Sequence, residues 1–316
     1  FQINPLFDLD VMTNNQDLSE LTSKIISKFG FLMKKIKPGL IIAQGDTTSA
    51  MAAALVSFYQ KIKFGHIEAG LRTGEMYNPF PEEVNRLIIS KLASFHFTPT
   101  NLTRDNLIKE NIPKDNIFIC GNTVIDSLIK TLSIKYKAEI DIDKKFILVT
   151  VHRRENLDKL RYIFSGLKIS ANKNSNINFI FLIHPNPKIN NLAREYLGSI
   201  NNIILLTPQN YISFVNLMKK SLFIVSDSGG IQEEAAALGK PLLILRSTTE
   251  RKEVVNAKVA KLVGVNTQNI INEIDRLITD SDHYANMSKK IYPYGKGKSS
   301  KIIVEIIKKK FLKFKQ

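Results

Sequence analysis

The sequence has a single cysteine, Cys120, so no disulfide can form within the chain. That usage fits a reducing compartment, and the cytoplasm is the expected location. No apolar run approaches the ~18 residues needed to span a bilayer, and no membrane partner is expected. The opening residues, FQINPLFDLD, lack the basic-then-apolar pattern of a secretory signal. Internal repeats and low-complexity tracts are missing as well. What is present is 316 residues with 44% hydrophobic content, enough for two domains with sizeable cores, which excludes the disordered and fibrous classes.

Acidic residues are also in short supply: the net charge is +16. Ten lysines and one acid, Glu305, fall between Lys289 and Gln316, leaving +7 for the other 288 residues. No motif for reading a nucleic-acid groove accompanies this charge, so nucleic acid is not an expected partner. The segment 299–314 spaces Ile302, Ile303, Ile306, Ile307, Phe311 and Leu312 as one apolar stripe between lysines. That spacing predicts a packing helix.

Short β-branched runs alternate with helical ones along the rest of the chain. Strands are expected at 39–44, 63–68, 94–99, 116–121, 146–151, 178–183, 203–206, 222–226 and 241–246, with helices at 48–60, 84–93 and 123–134 among those between them. Continuous Val/Ile/Leu runs of this kind are buried parallel strands covered on both faces. The expected fold class is therefore α/β, with two doubly wound Rossmann-like domains and a cleft between them. The polar stretch 135–145 marks the boundary. The domains are read as 1–140 and 141–295, with a C-terminal helix in 296–316 that packs back on the first domain.

Ligands of open α/β sheets sit beyond the carboxyl ends of the strands. Several unusual clusters fall there. GDTTSA places Asp46 at a turn and Thr47, Thr48 or Ser49 at a helix N-cap, and ordinary capping explains much of it. In HIEAGLRTGEMYNPFPEEVNR, residues 66–86, four glutamates crowd with Arg72, Arg86 and His66. Glu82 and Arg86 are four apart and become neighbours if their helix starts early. HRREN brings His152 and two arginines to a strand end, where folding alone asks for none of them. HPNP, from His184, follows another strand. In SDSGGIQEEAAALGKP, Ser228, Gly229 and Gly230 open a helix whose free amides suit a phosphate. Glu233 and Glu234 follow; capping the helix dipole accounts for one of them and leaves the other over.

Taken with GNTVIDSL, TTERKE and YPYGKG, these motifs resemble the non-hydrolysing bacterial UDP-N-acetylglucosamine 2-epimerases, in order, from about residue 8 to 305. The resemblance implies a glycosyltransferase-B type fold. It also implies interconversion of UDP-N-acetylglucosamine and UDP-N-acetylmannosamine by a homodimer without a cofactor. Carried over position by position, Asp46, Glu68 and Glu82 form the acid–base set, and which removes the proton stays open. Arg86 orients Glu82 or stabilises charge, and His152 assists departure of the diphosphate. Ser228, Gly229 and Gly230 cradle phosphate, Glu234 holds ribose, Gln209 and Phe214 lie near uracil, and Arg251 serves the nucleotide. Arg72 matches a regulatory site. Glu75 and Glu83 receive no role.

Members of that family open with a strand–turn–helix carrying a GTRPE-like motif, and this sequence has none. The expectation drawn from that gap is a partial sequence, unstable and nearly inactive alone. Two other functions fit the same motifs: a UDP-sugar-dependent glycosyltransferase of the same fold, and a UDP-sugar-binding remnant without catalysis.

Overall fold

The computed structural model describes residues 3–13, 16–135 and 144–311. Contacts divide the chain into two compact units, Phe1–Asn122 with Ile302–Gln316, and Thr123–Lys301. The boundary read from sequence, at 140, lies outside the described residues. The division by contacts comes earlier because the helix Thr123–Leu132 sends Ile125 and Leu128 into the core of the second unit. At the other end, Ile303 packs with Phe95, Phe97 and Cys120 of the first unit, and Ile306 and Ile307 lie against them. Ile302, expected in the same stripe, is instead 36% exposed, and Leu312 is outside the described residues.

The first unit holds four parallel strands, β1 (Leu40–Gln44), β2 (Lys63–Ile67), β3 (Phe95–Thr98) and β4 (Ile117–Ile119), paired in chain order. The helices Leu18–Ile36, Thr48–Tyr59 and Glu82–Leu92 supply Met33, Ala50, Ala54, Val56 and Ile89 to a core that includes Ile41 and Phe64. Register sets His66 of β2 opposite His96 of β3. Both rings are buried. His66 Nε2 donates to the Gly45 carbonyl at 2.8 Å. Burial pushes the His66 imidazole down to about 4. Burial, then the neighbouring His66, pushes His96 down to about 3.

These shifts link stability to pH. An unfolded imidazole takes its proton near pH 6.5, whereas the folded pair stays neutral well below that. The contribution is complete above pH ~6.5 and declines as pH falls towards the native values, by several kcal/mol in total. Urea midpoints measured between pH 7.5 and 4.5 are expected to fall steeply on the acid side. His96→Gln should flatten that slope, and an unchanged slope would contradict the assignment.

The second unit holds six parallel strands: β5 (Phe146–Val151), β6 (Asn178–Ile183), β7 (Ile203–Leu206), β8 (Ile224–Ser226), β9 (Leu242–Ile244) and β10 (Ala260–Leu262). Their order is β10-β9-β8-β5-β6-β7. Side chains of β5 alternate across the sheet: Ile147, Val149 and Val151 enter one core, and Phe146 and Leu148 the other. Each such side chain contributes about 1.5–3 kcal/mol through burial, which is why the strand reads as an unbroken apolar run. Order reverses between β5 and β8, so the crevice beyond those two strand ends is where this topology opens a ligand site. The sequence reading passes over β10, an edge strand of three residues with Lys261 at its centre.

Candidate functional site

In the first unit, the backbone after β1 turns at Gly45, whose φ is +78°, and its amide donates to Ile67 O at 3.0 Å. Thr47 is the N-cap of the next helix, accepting from Ala50 N, so Asp46 is free of that duty. Asp46 Oδ2 instead accepts from Arg86 Nε at 2.9 Å and Nη2 at 2.7 Å. Arg86 is 2% exposed, and its Nη1 donates to Glu83 Oε2 at 2.8 Å. Glu83, equally buried, also accepts from Thr73 N and Gly74 N. The sequence reading has Arg86 orient Glu82 or stabilise charge; in the structure it donates to Asp46 and Glu83. The spacing of Glu83 and Arg86, three apart on one helix, was the signal for the second pair.

The other two carboxylates of the expected set stand differently. Glu82 is the first residue of the helix Glu82–Leu92, and its Oε2 is buried without a hydrogen-bond partner. Glu68 follows β2 with φ +69°, a left-handed backbone that costs a non-glycine residue about 1–3 kcal/mol. Its carboxylate lies over the Gly45 turn: a Cβ built on Gly45 would stand 3.6 Å from Glu68 Oε2. Strain of this kind concentrates where a side chain has to be aimed. Arg72 is tied to Glu110 by two bonds of 2.7 and 2.9 Å and also donates to Ser90 Oγ and Leu71 O.

In the second unit a cavity of about 310 Å³ opens where the strand order reverses. Its lining includes His152, Gln209, Phe214, Ser228, Gly230 and Glu234 from the expected set. Thr150 of β5 and Ser226 of β8 share a hydrogen bond of 2.7 Å beneath it. Ser228 is the N-cap of the helix Gly229–Leu238, yet its side chain makes no capping bond. The first amides of that helix have no intrahelical partner, and a Cβ on Gly230 would meet nothing within 4 Å. These are the elements of an anion site.

Neither glutamate of the EE pair caps the helix. Glu233 Oε1 accepts from Arg251 Nε at 2.7 Å. Glu234 Oε1 accepts from the Tyr211 hydroxyl at 2.6 Å. Burial raises the Glu234 carboxyl to about 7, against the opposing pull of Tyr211 and Arg251. His152 is held by a residue the sequence reading missed. Asp227, fully buried, accepts from His152 N, Arg153 N and Asn156 Nδ2, and lies 3.4 Å from His152 Nδ1. Partial burial lowers the His152 pKa, while Asp227 works against that. The His152 ring stacks on His184, with centroids 6.0 Å apart, and His184 also lines the cavity. Tyr211, His184 and Asp227 all lie in or beside strand-end loops, which was the available signal.

Two parallel α/β units, the second doubly wound with a crevice at its switch point, are of the glycosyltransferase-B type. The pattern described as UDP-N-acetylglucosamine 2-epimerase matches residues 1–308, and the chain belongs to that family. It is 48% identical to the UDP-N-acetylglucosamine 2-epimerase of Campylobacter jejuni, over 97% of this chain and 84% of the relative. It is 45% identical to the Neisseria meningitidis UDP-GlcNAc 2-epimerase solved with UDP-GlcNAc bound, with a TM-score of 0.94 over 97% of this chain and 86% of that one. The Methanocaldococcus jannaschii UDP-GlcNAc 2-epimerase, solved with UDP-GlcNAc and UDP, is 32% identical, with a TM-score of 0.86 over 97% of this chain and 85% of that one.

Proposed function

We propose that this chain interconverts UDP-N-acetylglucosamine and UDP-N-acetylmannosamine, as a non-hydrolysing epimerase. The observation that carries this reading is the switch-point cavity, with Ser228, Gly230, His152 and the Tyr211–Glu234 pair on its wall. It occurs in a chain 45% identical to a protein solved with UDP-GlcNAc. Phe214 and Gln209 take the base, Glu234 the ribose, and the amides of helix Gly229–Leu238 with Arg251 the diphosphate. His152, held by Asp227, stands where the diphosphate departs.

The C2 hydrogen of the sugar is not next to a carbonyl, so direct deprotonation is too unfavourable. Loss of UDP from C1 builds oxocarbenium character and makes that hydrogen removable. The C1–O bond breaks with its electron pair leaving on UDP, and the C2 proton passes to a carboxylate. The product of that half is 2-acetamidoglucal. UDP then re-adds at C1 while a proton returns to the other face of C2. Asp46, Glu68 and Glu82 supply these proton transfers, and Arg86 fixes Asp46 in place.

The first unit packs its own core around Ile41, Phe64 and Ile89 and holds all three carboxylates, which supports activity in this chain itself. A homodimer working in the cytoplasm is part of the same reading, supported by the family resemblance and the lone cysteine. Arg72 is a candidate for a regulatory UDP-N-acetylglucosamine site, where an anion would compete with Glu110. Incubation with UDP-N-acetylglucosamine and no acceptor, followed by NMR of the anomeric protons, is expected to give UDP-N-acetylmannosamine. Unchanged substrate would reject the reading, and sugar transfer only when an acceptor is added would indicate a glycosyltransferase.

A further inference from the structure

One carboxylate of the second unit gathers three guanidinium groups. Glu250, 2% exposed, accepts from Arg251 Nη1 through Oε1. The same oxygen lies 3.9 Å from Arg153 Nη2. Its Oε2 lies 3.0 Å from Arg246 Nη2. Arg246 is itself buried, and its three guanidinium nitrogens lack hydrogen-bond partners. This cluster rests directly on the first residue of helix Gly229–Leu238. A Cβ on Gly229 would stand 2.7 Å from Arg251 Nη1, 3.1 Å from Glu250 Oε1 and 3.3 Å from Arg153 Nη2.

Left to themselves, Arg153 and Arg251 at the positive end of a helix would repel each other, the helix dipole and the neighbouring Arg246. Glu233 answers Arg251 Nε at 2.7 Å and Glu155 lies 3.5 Å from Arg246 Nε, but Glu250 is the carboxylate that faces all three. We infer that Glu250 is a positioning residue for the diphosphate, holding Arg153 and Arg251 at the helix terminus, with Arg246 on its other oxygen, before the ligand arrives. This rests on the UDP-sugar reading above. Preassembly removes the cost of ordering these side chains on binding, and that benefit goes to the phosphates and not to the nucleoside.

A simpler role for Glu250 carries the opposite sign. If Glu250 were only a counter-charge near an anion site, removing its charge would tighten UDP binding by relieving repulsion. Calorimetric titration of UDP and of uridine into the wild-type chain and Glu250→Gln separates the two. The expected result is UDP binding weakened about tenfold or more, from the loss of a charge-assisted bond, with uridine affinity unchanged within about twofold. Unchanged or tighter UDP binding, or an equal loss for uridine, would overturn the inference. Should Glu250→Gln fail to fold, Glu250→Asp decides: it keeps the charge but shortens the reach to the arginines, and the same selective loss of UDP over uridine is expected. A wild-type chain that binds no UDP would reject the UDP-sugar reading itself.

Discussion

Glu82→Gln is expected to lower epimerisation by about 10²–10⁴-fold, the range typical of a single positioned acid or base. It should leave UDP affinity unchanged, because the groups proposed to hold UDP belong to the second unit. Thermal stability should hold or rise. The reason is the environment of the side chain: Oε2 is buried and unpartnered, at the first residue of its helix. Leaving a buried polar atom unsatisfied costs about 1–3 kcal/mol, so the native carboxylate is held at some expense to the fold. The amide keeps the shape and removes the charge and the transferable proton. A variant within tenfold of wild type, or one that unfolds, would refute the role given to Glu82.

Arg86→Met is expected to be the most damaging single change to stability in the first unit. Arg86 joins Asp46 to Glu83 through three hydrogen bonds, and Glu83 is as deeply buried as the arginine. Removing one member of a buried ionic group leaves an uncompensated charge and costs about 3–5 kcal/mol. That corresponds to a fall in Tm on the order of 10 °C. Activity should fall as well, since Asp46 loses both bonds that fix its carboxylate and the loop at Thr73 and Gly74 loses its anchor to a charge-balanced Glu83. Arg86→Lys keeps the charge but cannot make a planar fork, so it should recover only part of either loss. Differential scanning calorimetry on the two variants would check this, and a Tm for Arg86→Met within 2–3 °C of wild type would contradict it (a loss under about 1 kcal/mol).

Much of the second unit was legible because β5 and β6 are covered on both faces and so announce themselves as apolar runs. β10 was not, because an edge strand of three residues with a lysine in it has no periodicity to detect. The site was legible by residue type and strand-end position, and less so by partner. Asp46 and Arg86 are 40 positions apart, and nothing local says that they meet. Glu83 had a local signal, its spacing from Arg86, hidden by the equally reasonable spacing of Glu82. The EE pair looked like a helix cap with one acid left over; both in fact answer side chains distant in sequence, Arg251 and Tyr211. Asp227 and Glu250 were missed because their value lies in gathering backbone amides and guanidiniums from other loops, which only the folded sheet brings together.

The central claim is that C2 loses its proton to a carboxylate after UDP leaves C1. Epimerisation in heavy water, followed by NMR and mass spectrometry, tests it most directly. One solvent deuterium is expected at C2 of the UDP-N-acetylmannosamine formed and, as equilibrium is approached, at C2 of the recovered UDP-N-acetylglucosamine. Epimer formed with the original C2 hydrogen retained would contradict the account.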